Sequence, residues 1–305
     1  MVWKLPSLRS GRHLPKVPDG TRIYAIGDVH GRADLLALVM QQIEIDILLH
    51  PIARPIVVFL GDYVDRGPAS KEVLDLLLGS RQMPEMVFLK GNHEAFVLDM
   101  LRNSARLDDW RRYGGLETLI SYGLKPPINP TASEQVTLVD AFAKALPETH
   151  RRFLETLQTS FDCGDFLFVH AGVRPLVPLS AQTEHDLLWI RDDFLNWDKK
   201  FEKVIVHGHT PVEEPDVRFN RINIDTGAFA TGRLTCMTFD ASDVMPLMDV
   251  RDWSRDIPCI ETSSSGPDRS GQDAGPDIAD LIKRLRDEIS TCSPDMLVRL
   301  NPRRR

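Results

Sequence analysis

A short apolar run in the sequence ends abruptly in charged residues. The stretch VVFLGDYVDRGP, at positions 57–68, passes directly from valine and leucine to Asp62, Asp65 and Arg66. Ionised groups at the edge of a protein core are costly unless they are paired or bind a metal. The stretch therefore predicts a site that holds ions or charged ligands, to which other parts of the chain must contribute.

Further polar clusters follow other apolar runs of the chain. GDVHGR lies at 27–32, GNHE at 91–94, HAGV at 170–173 and HGHT at 207–210. These clusters supply carboxylate, amide and imidazole groups without a thiolate, a set that suits manganese, iron or zinc. Six ligands suggest two ions, which together can lower the pKa of a shared water and hold a phosphate for in-line attack. The candidate ligands are Asp28, His30, Asp62, Asn92, His170 and His209.

Each of these residues has a simpler explanation when it is taken alone. An aspartate at a strand end commonly forms a turn or caps a helix, and a histidine beside glycine commonly makes structural hydrogen bonds. Turn formation can explain any one of these residues, but it does not explain why a potential metal ligand follows each of several apolar runs. The ordered set therefore favours a metal site.

The elements that must position these residues alternate between short β-type runs and helical patterns from Arg22 onwards. Such an order is typical of an α/β protein, whose ligands bind at the edge of the sheet where the strands end. The segment 104–160 is different, because its patterns are mainly helical. We interpret it as an insertion that covers the site and call it the cap.

Composition limits the other functions that the chain could have. The 305 residues are 42% hydrophobic and 27% charged, which is ordinary for a globular protein. A net charge of −7 argues against a protein that coats nucleic acid. Four widely spaced cysteines indicate neither a zinc knuckle nor a disulfide framework, and no apolar segment is long enough to span a bilayer. We expect a cytoplasmic protein without nucleic-acid or membrane partners, and its oligomeric state stays open between monomer and larger assemblies.

The motifs GDVHG, GDYVDRG, GNHE, HAG and GHT together resemble the phosphoprotein phosphatase (PPP) family of metallophosphoesterases. The resemblance covers roughly positions 22–240 and is greatest to the bacterial and bacteriophage lambda-type serine/threonine phosphatases. It implies an α/β (α+β) fold in which a β-sandwich of mixed sheets is flanked by helices. Strand and helix alternation alone would instead suggest a doubly wound sheet.

The resemblance also implies roles for individual residues. Asp28 and His30 would hold the first divalent ion, Asn92, His170 and His209 the second, and Asp62 both; manganese is the expected metal, with iron or zinc as alternatives. His93 would be the general acid, with Asp65 orienting its imidazole. Arg66 and Arg191 would bind the substrate phosphate. Asp225 would contact the metal ligands without binding a metal itself.

The function implied by the resemblance is hydrolysis of phosphoserine or phosphothreonine in proteins, by in-line attack of a hydroxide that bridges the two metals. A symmetrical bis(5'-nucleosyl)-tetraphosphatase or a small-molecule phosphoesterase is the alternative, and a non-catalytic phosphate-binding scaffold is a remote one. The symmetrical tetraphosphatases commonly carry alanine where this chain has Asp65. The sequence therefore favours a phosphomonoesterase.

The expected domain organisation follows from the same patterns. Positions 1–20 are an irregular lead-in, and 21–250 form the catalytic domain with the cap inserted at about 104–160. Positions 255–305 combine a flexible linker rich in serine, glycine and proline with a short amphipathic helix.

Overall fold

The computed structural model describes residues 14–80 and 84–251 of the chain. The predicted linker and C-terminal helix at 255–305 lie outside the described residues, as does most of the predicted lead-in. The described part of the chain contains ten strands and ten α-helices.

The strands and helices alternate along the first part of the chain. The strands are β1 Thr21–Ile26, β2 Arg54–Phe59, β3 Glu85–Phe88, β4 Ser160–Cys163, β5 Phe166–Val169, β6 Val204–His207, β7 Asp216–Val217, β8 Arg221–Asn223, β9 Arg233–Asp240 and β10 Asp243–Arg251. The helices are α1 Ala33–Leu49, α2 Ser70–Gly79, α3 Asn92–Arg102, α4 Leu107–Trp110, α5 Leu116–Ser121, α6 Ala132–Ala145, α7 Glu148–Thr156, α8 Glu184–Trp189, α9 Asp192–Leu195 and α10 Ala228–Thr231. A π-helical turn, Arg111–Gly115, connects α4 to α5.

The strands form two mixed sheets of five strands each. The first has the order β10-β9-β1-β2-β3, in which β1, β2 and β3 are parallel and β9 is antiparallel to β1. The second has the order β4-β5-β6-β8-β7, with β5, β6 and β8 parallel and antiparallel strands at both edges. This arrangement confirms the predicted sandwich of mixed sheets and excludes a single doubly wound sheet.

Alternation along the strands explains how the layers pack. Ile23 and Ala25 of β1 share a buried cluster with Phe166 and Phe168 of the second sheet. Tyr24 belongs to a different cluster, which the helices on the outer face of the first sheet complete. Since successive side chains of a strand point to opposite faces, one strand contributes to both cores.

Helices fill the chain between β3 and β4. Trp110 of α4 and Phe142 of α6 are completely buried there, and their rings lie 5.6 Å apart. Both belong to the same cluster as the helices packed on the first sheet. The cap therefore packs against α3 and the other helices on the outer face of the first sheet. Within the described residues, every helix is too short or too polar to cross a lipid bilayer.

Candidate metal centre and catalytic site

The predicted ligands converge at one end of the sandwich, where strands of both sheets end. Asp28 and His30 follow β1, Asp62 follows β2, and Asn92 begins α3 just after β3. The second sheet contributes His170 after β5 and His209 after β6. We call these six residues the strand-end cluster.

Asp62 lies at the centre of this cluster. One of its oxygens, Oδ2, is 3.3 Å from His30 Nε2, and the other, Oδ1, is 3.4 Å from His170 Nε2. The side chain is only 2% exposed. A ligand from each sheet thus faces a different oxygen of one carboxylate, the arrangement expected of a group shared by two ions.

Asn92 and Asp28 connect the rest of the cluster. Asn92 Oδ1 is 2.9 Å from His170 Nε2 and 2.9 Å from His209 Nδ1. The backbone N–H of His209 donates to Asp28 Oδ2 at 3.0 Å. All six predicted ligands therefore lie in one connected, buried group.

Backbone carbonyls fix the orientation of two imidazoles. His30 Nδ1 lies 2.9 Å from the carbonyl of Val64, and His170 Nδ1 lies 2.9 Å from that of Leu60. A carbonyl only accepts, so Nδ1 carries a hydrogen in both rings and Nε2 is the ring atom that faces Asp62. Burial lowers the pKa of His170, and it lowers the pKa of His209 to about 2. His170 and His209 therefore stay in the neutral form that binds metal.

The buried polar atoms of the site fit divalent cations. Asp28 Oδ1, His30 Nε2 and His209 Nε2 are buried without a hydrogen-bond partner among the described residues. Because His170 carries its hydrogen on Nδ1, its Nε2 is an acceptor that faces another acceptor, Asn92 Oδ1. A cation bound by both atoms would remove the repulsion between them. Burial and the charges of Asp225 and Asp62 raise the pKa of Asp28, as expected where carboxylates meet without cations.

Among the residues that the structure describes, two groups of side chains have the spacing to hold a metal ion, and Asp62 belongs to both. One contains His30, Asp62 and His93, and the other contains Asp62, His170 and His209. The first group contains His93, whose Nε2 lies 3.8 Å from Asp62 Oδ2, and does not contain Asp28. The geometry accordingly provides for two ions that share a carboxylate, with His93 beside the first.

His93 and Asp65 form a buried pair. His93 Nδ1 donates to Asp65 Oδ2 at 2.7 Å, and neither residue is exposed. The Nε2 atom on the other side of the ring faces the strand-end cluster and is also buried without a partner among the described residues. This is the arrangement required of an acid whose imidazole is held in place by a carboxylate.

The two predicted phosphate-binding arginines lie around the cluster without a described ion pair. The guanidinium of the partly buried Arg66 lies 5.0 Å from the centre of the Phe229 ring. Arg191 is exposed, and its charge contributes to the low pKa of His209. The neighbouring Asp193 pairs with Arg174 instead, at 3.2 Å. Both arginines can therefore bind an anion.

Asp225 is buried behind the ligands. Its Oδ1 accepts the backbone N–H of Gly227 at 2.9 Å, and its charge raises the pKa of Asp28. The structure thus places Asp225 next to the cluster but outside both potential metal groups of the described residues.

The sequence interpretation assigned no role to Glu94, which organises the loop of Asp62. Its carboxylate accepts the backbone N–H groups of Asp62 at 2.9 Å, Tyr63 at 2.8 Å and Gly91 at 2.9 Å. The last of these bonds joins Glu94, the third residue of α3, to the backbone of its N-cap residue Gly91. A glutamate three residues after an N-cap position is a readable signal, and it could have identified this residue.

Strained backbone is concentrated at the site. Five of the predicted site residues have left-handed φ angles: His30 at 44°, Asp62 at 52°, Asp65 at 71°, Arg66 at 67° and His209 at 66°. Such conformations cost free energy in residues other than glycine, and surrounding contacts must hold them. Close approach adds a further constraint, because a β-carbon on Gly91 would overlap the Asp62 carboxylate.

Aromatic side chains lie next to three histidines of the site. Tyr113 of the π-helical turn is 46% exposed, and its ring lies 6.5 Å from that of His93, edge to face. The Phe96 ring packs against the Tyr113 ring, with the two ring centres 5.0 Å apart. Phe229 lies 5.5 Å from the His30 ring, and Trp189 lies 6.4 Å from the His209 ring. A planar ligand group would find apolar faces here.

Comparison with known proteins agrees with this geometry. Residues 21–242 match the family described as calcineurin-like phosphoesterase, whose members use a dinuclear divalent metal centre. The bis(5'-nucleosyl)-tetraphosphatase PrpE [asymmetrical] of Anoxybacillus flavithermus is 28% identical over 240 residues, which cover 70% of this chain and 89% of that protein. The Bacillus subtilis protein of the same name is 28% identical over 237 residues, with 70% and 89% covered.

One solved structure supports the fold. A crystal structure provisionally assigned as a diadenosine tetraphosphatase superposes with a TM-score of 0.50 at 19% identity, covering 79% of this chain and 99% of that one. The family match spans most of the chain and includes strands β1 to β9 and all six residues of the strand-end cluster. This protein is a metallophosphoesterase and belongs to the calcineurin-like phosphoesterase family.

Proposed function

We propose that this protein hydrolyses dinucleoside tetraphosphates asymmetrically, giving one nucleoside triphosphate and one nucleoside monophosphate. The observation that carries the proposal is the similarity, over 89% of their length, to relatives named asymmetrical bis(5'-nucleosyl)-tetraphosphatases. It replaces the protein phosphatase as the leading hypothesis and differs from the symmetrical cleavage considered from the sequence. The catalytic domain extends over 21–250, and the cap at 104–160 contacts the substrate.

The chain's residues divide into those that hold metal and those that hold substrate. Two divalent ions, most simply manganese, would polarise phosphoryl oxygens and lower the pKa of a water. Asp28 and His30 would hold one ion, Asn92, His170 and His209 would hold the other, and Asp62 would contribute to both sites. Arg66 and Arg191, which have no ion pair within the part of the chain that the structure describes, would bind the polyphosphate, since a guanidinium suits bidentate hydrogen bonding to phosphoryl oxygens.

The aromatic side chains next to the site support a nucleotide substrate. Tyr113 presents a half-exposed ring next to His93 and is backed by Phe96. Stacking of a base on an aromatic side chain is tolerant of base identity and contributes about 1–3 kcal/mol. A nucleobase on Tyr113 would place its phosphate chain towards Arg66 and the strand-end cluster.

The buried pair of His93 and Asp65 favours a second candidate, the phosphomonoesterase. An alkoxide leaving group is strongly basic and needs a proton, which His93 is positioned to donate from Nε2. A departing nucleotide phosphate is far less basic and depends less on an acid. A complete acid pair therefore supports activity on phosphoserine, phosphothreonine or small phosphate esters.

Product analysis distinguishes these functions. The protein is incubated with manganese and diadenosine tetraphosphate, and in parallel with a phosphoserine peptide and p-nitrophenyl phosphate. We expect equal amounts of ATP and AMP, with a kcat/KM that exceeds those of both other substrates. Two molecules of ADP would indicate symmetrical cleavage, and a preference for the phosphopeptide would refute the proposal. Asp62→Asn serves as the control for contaminating activity.

A further inference from the structure

We propose that Trp110 and Thr118 of the cap are positioning residues for the acid pair, which they orient by hydrogen bonding to Asp65. The inference rests on the proposed role of His93 as an acid and goes beyond it, because it makes the cap part of the catalytic apparatus. Neither residue received a role from the sequence. Their contacts with Asp65 are the reason for assigning one.

Both oxygens of the Asp65 carboxylate are occupied. Oδ2 accepts from His93 Nδ1 at 2.7 Å and from the indole Nε1–H of Trp110 at 2.8 Å. Oδ1 accepts from the hydroxyl of Thr118 at 2.6 Å. The three donors come from α3, α4 and α5, so two of the three belong to the cap.

This set of donors fixes the direction of the carboxylate. With a donor on each oxygen, rotation about the bond to the carboxylate group would break at least one hydrogen bond. Asp65 is completely buried, so water cannot replace a lost donor. The oxygen that faces His93 is therefore held in place, and it keeps the hydrogen of His93 on Nδ1 and Nε2 directed towards the strand-end cluster.

Thr118 also holds the backbone of the acid pair. The backbone N–H of Asp65 donates to Thr118 Oγ1 at 2.9 Å and to Ser70 Oγ at 3.0 Å. Since the single hydroxyl hydrogen of Thr118 goes to Asp65, Ser70 donates to Thr118 across their 2.9 Å contact. These bonds hold Asp65 in its left-handed conformation with φ 71°.

The π-helical turn explains how the cap reaches this site. Gly114, with φ 102°, departs from helical geometry, and its carbonyl accepts the backbone N–H of Arg66 at 3.0 Å. A β-carbon on Gly115 would overlap the Trp110 ring, so the turn and the indole fit together only with glycine there. Such turns often occur at functional sites. The cap thus contacts both members of the Asp65–Arg66 pair.

The test uses leaving-group dependence, which a purely structural role would not change. Phenyl phosphate and p-nitrophenyl phosphate have nearly the same size, but phenoxide is the more basic leaving group and depends more on an acid. Trp110→Phe removes the indole donor while keeping an aromatic ring, and Thr118→Val removes the hydroxyl at nearly constant size. We expect each to lower kcat for phenyl phosphate about tenfold more than for p-nitrophenyl phosphate, with little change in KM. Thr118→Ser should restore most of the loss.

Phe142→Leu is the matched structural control. Phe142 packs on Trp110 at 5.6 Å but bonds to neither Asp65 oxygen, so its replacement should lower Tm and affect both substrates equally. His93→Asn separates the two proposals. If His93→Asn lowers kcat for the two substrates equally, the acid role of His93 fails. If His93→Asn lowers kcat more for phenyl phosphate, while Trp110→Phe and Thr118→Val affect both substrates equally as Phe142→Leu does, the positioning role of Trp110 and Thr118 fails.

A spectroscopic measurement makes the inference independent of turnover. Histidine ¹H–¹⁵N spectra of the full chain should show a downfield Nδ1 proton for His93, identified by its loss in His93→Asn. Trp110→Phe and Thr118→Val should shift or broaden this signal, and Phe142→Leu should leave it in place. An unchanged Nδ1 signal in both cap variants would refute the inference.

Discussion

The strand-end cluster and the cap meet at the same site but are built in different ways. Each ligand of the cluster lies within a few residues of a strand end, in a glycine-containing motif. Trp110 and Thr118 lie on helices and bond to Asp65 across 45 and 53 positions of sequence. The candidate metal ligands are therefore encoded in short motifs, whereas the orientation of the pair of His93 and Asp65 depends on long-range packing.

The two regions also differ in how they would fail. Loss of a strand-end residue should remove a group that binds an ion, so activity should disappear whatever the substrate. Loss of a cap contact should reduce activity selectively, according to the leaving group or the nucleobase. The following experiments examine this difference in order of expected effect.

Asp62→Asn should have the largest effect. It removes the charge shared by both potential metal groups, and even residues that only support metal ligands cost about 10–100-fold when they are replaced. We therefore expect kcat/KM to fall by more than about 100-fold for every substrate, and the increase in Tm caused by added manganese to disappear.

Asp46→Asn provides a matched control for this variant. Asp46 is also a buried aspartate, but it accepts hydrogen bonds from Tyr24 at 2.7 Å and His50 at 2.9 Å, away from the site. The Asp46→Asn variant should have a lower Tm than the wild type, and added manganese should still increase that Tm. Equal responses of the two variants would contradict the central role of Asp62.

His93→Asn should have the next largest effect, and a selective one. General acids contribute about 10²–10⁴-fold to rate, so kcat for phenyl phosphate should fall within this range. The decrease should be smaller for p-nitrophenyl phosphate and for diadenosine tetraphosphate, whose leaving groups are less basic. A uniform decrease would instead place His93 among the metal ligands, as its membership of the first metal group allows.

Tyr113→Ala tests whether the cap binds a nucleobase. Loss of one stacked base costs about 1–3 kcal/mol, which corresponds to an increase in KM of about 5- to 150-fold for diadenosine tetraphosphate. The increase should be absent with p-nitrophenyl phosphate, which has no base, and Tyr113→Trp should keep KM low. An unchanged KM for the dinucleotide would exclude Tyr113 as the stacking surface.

The smallest effect concerns the attachment of the cap at low pH. His150 of α7 accepts from the hydroxyl of Tyr122 at 2.7 Å through Nδ1 and donates to Asp75 of α2 at 3.0 Å through Nε2. Burial lowers the pKa of His150 and raises that of Tyr122, so the histidine is neutral and the tyrosine keeps its hydrogen.

The sign of the pH dependence follows from the lowered pKa of His150. The unfolded chain takes up a proton first, at the ordinary histidine pKa of about 6.5, so this contribution to stability is lost as the pH falls through that value. The decrease in Tm between about pH 7.5 and about pH 5.5 should be larger for the wild type than for His150→Gln. An identical decrease in both proteins would show that His150 is not the group responsible.

Much of the fold and the cluster could be predicted from the sequence, because their signals are local. A ligand type beside glycine at the end of an apolar run identified Asp28, Asp62 and His209, and the structure brings these residues together. The resemblance of the same motifs to a known family predicted the sandwich of mixed sheets. Helix and strand alternation alone would have failed here, since it carries no information on which strands share a sheet.

Glu94 and the arginines show the limits of this approach. Glu94 follows a capping pattern that is visible in the sequence, but its bonds to Asp62 and Tyr63 appear only when β2 and α3 are placed side by side. Arg191 was assigned from a short motif that allowed an ion pair with a neighbouring aspartate. The structure shows Asp193 paired with Arg174 instead.

The sequence by itself determined which groups this protein can use for chemistry: the types of candidate metal ligand, their order along the chain, and the histidine, aspartate and arginine beside them. Only the tertiary structure decided how the pair of His93 and Asp65 is held, because Trp110 and Thr118 are residue types that usually serve packing and reveal a role only through the atoms they contact. The physical reason is the range of the interactions. A turn at a strand end depends on adjacent residues, whereas the carboxylate of Asp65 depends on helices that fold back onto it from the cap.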